Sequence, residues 1–197
     1  MRRRTFDALA VFAGLALAAV LLVAGVLLTW GHSFANSEVR TQLAAQKIYF
    51  PAVSNPEFKA LPAADAAAMR PYAGQLMTNG AQAQAYANHF IAFHLVGIGG
   101  GQTYSELSGK ALSQPGNAKL AAQVQLMFRG TTLRSMLLEA YGFWEMGQIA
   151  LVAAFVAYAG AALMLILSVI GLAHLRRVPE TAEVLPKVAH GVRAQTA

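Results

Sequence analysis

Two histidines and one glutamate come closest, by residue type, to a set of side chains that could bind a metal ion or move a proton. His89 and His94 lie five residues apart, and Glu106 follows in the next predicted helix. Two ligands on one helix need a spacing of three or four residues, whereas a spacing of five places them about 140° apart around an α-helix. A metal site would require the helix to end between the histidines and a further ligand from His32 or Glu106. We therefore expect structural or interface roles for both histidines and keep His89, His94 and Glu106 only as candidate metal ligands.

The segment Thr103-Tyr104-Ser105-Glu106 has the pattern of a capping box. In such a box the threonine side chain accepts a hydrogen bond from the backbone of the glutamate, whose own side chain accepts one from the backbone of the threonine. The pattern predicts that Glu106 stabilises the start of a helix. A catalytic carboxylate is the alternative interpretation.

Motifs of the common enzyme classes are absent from the sequence. The glycine-rich run at 97–101 follows a predicted helix rather than a strand, and no GK[ST] follows it, so we expect it to end a helix rather than to bind phosphate. Neither GxSxG nor HExxH occurs. Because there is no cysteine, disulfides, thiolate clusters, covalently attached haem and a cysteine nucleophile are excluded. We expect no catalytic residue, no bound cofactor and no enzymatic activity.

The composition indicates membrane-spanning segments. Of 197 residues, 56% are hydrophobic and only 12% are charged, and the mean hydropathy is +0.46. A soluble domain carries about a quarter charged residues. The net charge of +6 comes partly from basic residues that flank apolar stretches rather than from a cluster on one surface, so we expect no nucleic-acid partner.

Two uncharged stretches are long enough to cross a bilayer. The first, Ala8 to Trp30, has 23 residues, which is about 34 Å of helix against a hydrocarbon core of about 30 Å. The second, Ile149 to Leu172, is of similar length, and we assign residues 148–174 to it. Cleavage of the first stretch as a signal peptide is the alternative, with Ser33-Phe34-Ala35 as the cleavage site, but the apolar region of a signal is usually only about 7–15 residues long. We expect a retained anchor.

Basic residues predict the orientation. Arg2–Arg4 and Arg176–Arg177 lie at the outer ends of the two stretches, so the positive-inside rule places both termini in the cytoplasm and residues 31–147 outside the plasma membrane. Residues 1–7 form the cytoplasmic N-terminus, and residues 175–197 form a cytoplasmic tail that we expect to be disordered. Neither stretch contains an ionisable Asp, Glu, Lys or Arg, which argues against a channel or transporter made by this chain alone.

Small residues in both stretches predict contact between the two helices. They recur every four residues, a spacing that lets helix backbones approach closely. An alanine-rich composition produces such rows by chance as well. The two rows are Ala10, Gly14 and Ala18, and Ala153, Ala157 and Ala161.

The segment between the stretches is predicted to be mostly helical. We expect the first helix to continue to Lys47 and to stop before Pro51, because the residue before a proline avoids the helical region. Residues 51–62 are predicted to be irregular. Further helices are predicted at Ala63–Met69, at Ala81–Ile98 and from Ala118 into the second stretch, with Asn117 as a cap. The predicted fold is therefore an all-α membrane protein: a hairpin of two transmembrane helices with an extracytoplasmic helical domain.

Three segments resemble a family of small actinobacterial two-span membrane proteins. They are Tyr86-x-x-x-Phe90, the turn from Gly100 to Leu107 (GGQTYSEL), and Leu133 to Leu137 (LRSML) before the second stretch. The resemblance covers roughly residues 80–175. This chain has Gln102 where the family usually has lysine, and a longer segment at 48–78. Many members carry the label of small subunit of an aromatic-ring-opening dioxygenase; the resemblance implies a two-span protein of unknown function, and no set of iron ligands stands out here.

Three functional hypotheses follow. The first is a non-catalytic accessory or structural subunit of a plasma-membrane complex, whose partners are the lipid bilayer and other membrane-protein subunits. The second is an extracytoplasmic sensing or ligand-binding module that acts through a partner, because the tail after the second stretch is too short for a signalling domain. The third is a membrane-tethered enzyme. We favour the first.

Overall fold

The computed structural model describes residues 3–179 and 182, and within them the chain is all-α. The predicted disorder of the tail falls mostly on residues outside this range. Tyr49 and Leu76 form an isolated antiparallel bridge, and there is no longer strand in the described part. The helices are α1 (Arg3–Ala45), α2 (Pro56–Lys59), α3 (Ala63–Met69), a 3₁₀ turn (Arg70–Tyr72), α4 (Gly80–Ala85), a π-helix (Tyr86–Ile91), α5 (Ala92–Gly99), α6 (Tyr104–Leu112) and α7 (Ala118–Leu175).

The chain divides into two compact units. We call residues 1–29 and 152–197 the apolar unit, and Trp30–Leu151 the central unit. Both α1 and α7 supply residues to each unit. The continuation of the first apolar stretch into a longer helix, predicted from the sequence, is confirmed, although α1 ends at Ala45 and Lys47 adopts a left-handed conformation with φ of 53°.

In the apolar unit, α1 and α7 pack closely against each other through small residues. A Cβ atom added at Gly14 would lie 2.6 Å from Ser168 Oγ, and one added at Gly25 would lie 2.6 Å from the Tyr158 ring. The predicted contact between the two stretches is thus confirmed, but Ala10 is exposed and Val11 takes its place in the contact. The small residues buried here are Ala18, Ala154, Ala157 and Ala161.

Both long helices are long and apolar enough to cross a membrane. In each, only 17% of the most apolar window is buried within the structure. Most of the apolar side chains in these windows therefore face outwards, as they do in Phe12, Val20, Phe155 and Val156.

The central unit has its own hydrophobic core, built where α1, α7 and the intervening segment meet. Phe50 lies near its centre, and its backbone N–H donates to Gln75 O at 2.9 Å. The buried side chains are Val39, Leu43, Phe50, Phe58, Leu61, Met69, Met77, Ala83, Ala87, Ile91 and Leu137. This core therefore packs the segment from Phe50 to Ile91 against α1 and α7.

Side-chain caps define several helix ends, and of these the cap at Asn117 is predicted from the sequence. Asn79 Oδ1 accepts from Gln82 N at 2.9 Å, and Asn117 Oδ1 accepts from Leu120 N at 3.0 Å. α5 ends at Gly99, and Gly100 is left-handed with φ of 57°, a conformation that glycine adopts without a steric penalty. α3 has the predicted bounds, Ala63–Met69.

Two predictions for the intervening segment need correction. The helix predicted over Ala81–Ile98 is present, because the chain is helical from Gly80 to Gly99, but its middle part, Tyr86–Ile91, is a π-helix in which the N–H of Ala92 donates to Ala87 O, five residues back. Residues 51–62 are not wholly irregular, because Asn55 caps the short helix α2. The spacing of apolar side chains predicts a helix but does not show whether one of its turns contains an extra residue, as a π-helical turn does. A short helix capped by Asn55 is easily missed because prolines lie on both sides of it.

Candidate functional site

His89 is paired with a carboxylate that no motif in the sequence indicates. It lies on the π-helix, and its Nδ1 is 2.8 Å from Asp65 Oδ1 on α3. Because a carboxylate can only accept, Nδ1–H donates and Nε2 is left as the second polar atom of the ring. The pair joins two elements 24 positions apart in the chain, so no spacing rule could have found it.

The other two histidines considered as metal ligands each have a hydrogen-bond partner of their own. His94 Nδ1 donates to Phe90 O at 2.7 Å, and its ring packs against the Phe90 ring at 4.4 Å. His32 Nδ1 donates to Gly147 O at 2.9 Å. Within residues 3–179 and 182 no group of three or more His, Asp or Glu residues is placed to hold a metal ion.

Thr103 and Glu106 form a capping box, which confirms the prediction from the sequence. Its side chain accepts from Thr103 N at 2.7 Å and from Thr103 Oγ1 at 2.9 Å, and its own N–H donates back to Thr103 Oγ1 at 3.3 Å. The backbone hydrogen bond from Thr103, together with its hydroxyl, lowers the pKa of Glu106 below its ordinary value. Glu106 therefore stabilises the start of α6 as a carboxylate.

A cleft of about 560 Å³ lies beside the turn before α6. Its lining combines apolar side chains with hydroxyl and amide groups of the turn. Arg134 is the one charged side chain among the described residues that line it. The lining residues are Ala92, Leu95, Val96, Gly101, Gln102, Thr103, Tyr104, Ser105, Met127, Thr131 and Arg134.

Arg134 is oriented by the π-helix. Its Nε donates to Ala87 O at 3.2 Å, and its Nη2 donates to Asn88 Oδ1 at 2.8 Å. The same carbonyl of Ala87 accepts the N–H of Ala92, so the widened turn and the guanidinium share one acceptor. π-Helical turns are rare and occur often at functional sites. Although Arg134 lies within the LRSML segment, no pattern in the sequence indicates this role.

Two aromatic residues of the π-helix, Tyr86 and Phe90, form a cluster with Phe50. The Tyr86 ring lies 5.3 Å from the Phe50 ring and 4.8 Å from the Phe90 ring. Burial raises the pKa of the Tyr86 hydroxyl, and the negative charge of Glu57 raises it further. Tyr86 thus belongs to the packed core and remains neutral over the physiological range of pH.

A second opening of about 640 Å³ is a groove between α1 and α7 in the central unit. Its walls carry the exposed apolar side chains of Phe34, Met136 and Phe143. Two carboxylates, Glu38 and Glu139, also line it, and no basic residue does among the described residues. The remaining lining residues are Val39, Gln42, Leu43, Gln46, Leu137 and Ala140.

No protein-family model, curated protein or solved structure matches this chain. The resemblance to small actinobacterial two-span proteins stays a prediction. The features that bear on function are therefore the groove, the cleft and the exposed apolar surface.

Proposed function

We propose that this chain is an integral plasma-membrane protein with two spans and that it serves as a non-catalytic accessory subunit of a membrane complex. The observation that carries the membrane part is the exposure of the apolar windows, of which only 17% is buried. Soluble monomers rarely expose contiguous apolar patches larger than a few hundred Å². In the proposed topology both termini are cytoplasmic and residues 31–147 are extracytoplasmic.

A soluble core helix and a cleaved signal peptide both fit the structure less well than a retained span does. The core helix of a soluble protein would be mostly buried, which neither window is. A cleaved signal peptide would not need to fit the mature chain, whereas Gly25 and Thr29 both meet Tyr158, whose hydroxyl is 3.2 Å from Thr29 Oγ1. This fit supports retention of the first span.

The groove between α1 and α7 supports the subunit role. Exposed Phe34, Met136 and Phe143 give it an apolar surface, and aromatic residues and methionine are typical of protein interfaces. Glu38 and Glu139 make the groove acidic in a chain whose net charge is +6. We infer that its occupant is a helix of a partner membrane protein with an apolar face flanked by lysine or arginine.

A second copy of the chain is the less favourable occupant. A symmetric dimer through this groove would bring its two carboxylates against the same two of the other copy. Like charges brought together in an interface cost several kcal/mol. Charge complementarity therefore favours a basic partner over self-association.

Purification from native membranes tests this proposal with two matched variants. Met136→Lys adds a positive charge to the groove at a side chain that is 61% exposed, so folding is expected to be retained. Leu112→Lys makes the same change on α6 at a side chain that is 83% exposed and does not line the groove. We expect the wild type and Leu112→Lys to retain the same basic partner in mild detergent, and Met136→Lys to lose it, because the added charge repels the lysine or arginine residues of that partner. A lone monomer in all three, or retention by Met136→Lys, would show that the groove is not the docking surface.

The Arg134 cleft favours a second candidate function, an extracytoplasmic ligand-binding module. Ligand pockets are typically about 300–1,000 Å³ and mostly apolar with a few placed polar groups, and the cleft of about 560 Å³ has this character. Its single cation suits a small carboxylate with an apolar body. We expect 4-phenylbutyrate to raise the thermal unfolding midpoint, 4-phenylbutylamine not to, and Arg134→Gln to abolish the effect. Equal effects of acid and amine would exclude this function.

A further inference from the structure

A third opening, of about 610 Å³, lies in the central unit and is lined mainly by polar side chains. Residues of α1, the 3₁₀ turn, the start of α4 and α7 contribute to it, and we call it the polar pocket. Unlike the groove and the cleft, it has no Asp, Glu, Lys or Arg among its described lining residues. Its polar lining residues are His32, Ser33, Asn36, Tyr72, Asn79 and Gln148, beside Trp144. The pocket therefore suits a ligand without charge.

Direct contacts hold the elements of the polar pocket together. Asn36 Oδ1 accepts from Gln148 Nε2 at 3.3 Å, which joins α1 to α7. Trp144 precedes Gln148 by four residues, one turn of helix, so the two side chains lie on the same face of α7. At the start of α4, a Cβ added at Gly80 would lie 2.5 Å from Trp144 Cβ, so α4 reaches α7 directly beside Asn79. Three helices thus meet around Trp144 and Gln148.

Four polar groups of this pocket have no hydrogen-bond partner among residues 3–179 and 182. They are the Tyr72 hydroxyl, the Asn79 amide nitrogen, the Trp144 indole N–H and the Gln148 amide oxygen. None of the four is sealed from solvent, so each is open to a ligand. The other atom of each amide has a structural partner, since Asn79 Oδ1 caps α4 and Gln148 Nε2 donates to Asn36. The fold uses one half of each amide and leaves the other half to the pocket.

The chemistry of these four groups favours a sugar. Each sugar hydroxyl both donates and accepts, so one ring can satisfy the N–H donors of Asn79 and Trp144 together with the acceptor of Gln148. The C–H groups on the face of a sugar ring are apolar and pack against an aromatic ring, which Trp144 supplies. A phosphate would find no lysine or arginine among the described lining residues, and an extended peptide would find no strand there to pair with.

We propose that the polar pocket binds a neutral sugar ring, with Trp144 as its stacking surface and with Tyr72 and Asn79 among its hydrogen-bonding partners. The sugar belongs either to a free glycan or to the headgroup of a glycolipid. His32 follows Trp30, the end of the first apolar stretch, by two residues, and Leu151 lies at the start of the second stretch. In the proposed topology the pocket is thus level with the outer headgroups. Only the lipid source of the sugar rests on the proposed function.

Tryptophan fluorescence tests the proposal at the pocket itself, because the chain has only two tryptophans. Trp30 is 66% exposed and does not line the pocket, so Trp30→Phe leaves Trp144 as the reporter. The full chain is titrated with methyl β-D-glucopyranoside and methyl β-D-galactopyranoside in dodecylphosphocholine micelles, a detergent without sugar. We expect a saturable blue shift of the emission with at least one glycoside, because a stacked ring displaces water from the indole. Sorbitol, an acyclic polyol, should cause none.

Two variants in this background remove single hydrogen-bonding groups and keep the fold. Tyr72→Phe keeps the ring that contacts Phe50, and Asn79→Ser keeps a good N-cap for α4. We expect each to raise the dissociation constant about two- to tenfold, as the loss of one neutral hydrogen bond does. Tyr49→Phe is the matched control, because Tyr49 is 59% exposed and does not line the pocket, and it should bind with an unchanged constant.

A glucosyl diacylglycerol in the same micelles distinguishes the two sources of the sugar. A shift with this lipid but with neither free glycoside supports the proposal and assigns the sugar to a lipid headgroup, whereas a shift with a free glycoside supports it without any membrane. The absence of a saturable shift with all three sugars would show that the pocket holds only water. Equal shifts with sorbitol, or an unchanged constant in both Tyr72→Phe and Asn79→Ser, would also overturn the proposal. None of these results bears on the two spans, which the labelling of intact membranes tests separately.

Discussion

At the scale of single residues, Thr103 and Glu106 make the best-defined interaction of the central unit. Thr103→Ala removes the acceptor of the Glu106 N–H, and loss of such a cap typically costs about 1 kcal/mol of the free energy of unfolding. Glu106→Gln keeps an acceptor for Thr103 N but removes the charge. We expect Thr103→Ala to be the more destabilising change in thermal unfolding measured at pH 7. The reverse order would show that the charge, rather than the cap, stabilises α6.

The lowered pKa of Glu106 makes its contribution dependent on pH. The folded-state pKa lies below the unfolded value, so the contribution is fully present above about pH 5 and is lost as pH falls through the folded-state pKa. We expect the unfolding midpoints of wild type and Glu106→Gln to converge as the pH is lowered from about 5 to about 3. A difference between them that does not change with pH would contradict this account.

The aromatic cluster permits a comparison between a fully buried ring, that of Phe50, and the hydroxyl of the partly buried Tyr86. Phe50 is among the largest fully buried side chains, and Phe50→Ala is expected to cost about 3–5 kcal/mol of the free energy of unfolding. Tyr86→Phe keeps the ring contacts with Phe50 and Phe90, so we expect a change within about 0.5 kcal/mol. Equilibrium denaturation of both variants checks the pair. A large loss in Tyr86→Phe would indicate a hydrogen bond of its hydroxyl.

At the scale of helices, local chemistry in the sequence predicts where elements begin and end. Asn79, Thr103 and Asn117 cap helices as their residue types suggest, and the glycines at 99–101 end one. The π-helix was not predictable, because its extra residue is accommodated through contacts made across the chain. One such contact is Arg134 with Ala87 O, 47 positions away.

The candidate site could not be predicted from the sequence for the same reason. The pairing of His89 with Asp65 and the cleft at Arg134 both bring together residues from separate elements. The sequence did contain one sign of the cleft, since the segments GGQTYSEL and LRSML both contribute to its lining. What it lacked was any rule that places those two segments side by side.

Because α1 and α7 approach closely in the central unit, replacing two different glycines of α7 by alanine should change the stability of the protein by different amounts. A Cβ at Gly147 would lie 2.9 Å from Ala35 Cβ, an atom that cannot move without its backbone, whereas a Cβ at Gly142 meets nothing within 4 Å. We expect Gly147→Ala to destabilise the protein by about 1–3 kcal/mol through overpacking. Gly142→Ala should be neutral or stabilise by up to about 1 kcal/mol, because alanine favours helix. Thermal unfolding in detergent compares the two, and equal effects would mean that the helices do not approach closely at Gly147.

At the scale of the whole molecule, prediction from sequence succeeds best where a property is summed over many residues. A low charge content and two uncharged stretches predict two long apolar helices, and the structure contains them in α1 and α7. Composition alone does not show whether these helices are buried in a protein core. The structure shows that most of the apolar side chains in the two helices are exposed. Exposed apolar faces of this extent support the proposal that the two helices lie in a lipid bilayer.

Cysteine labelling tests the proposed topology directly, because the chain has no native cysteine. Leu112 is 83% exposed and Val156 is 68% exposed, so a cysteine at either position would react in water. We expect a membrane-impermeant maleimide added to spheroplasts to label Leu112→Cys but not Val156→Cys, because lipid shields the second. Arg193→Cys, outside the described residues, should react only after permeabilisation, and all three should react in SDS. Labelling of Val156→Cys in the intact membrane would contradict the second span, and labelling of Arg193→Cys in intact spheroplasts would contradict the orientation.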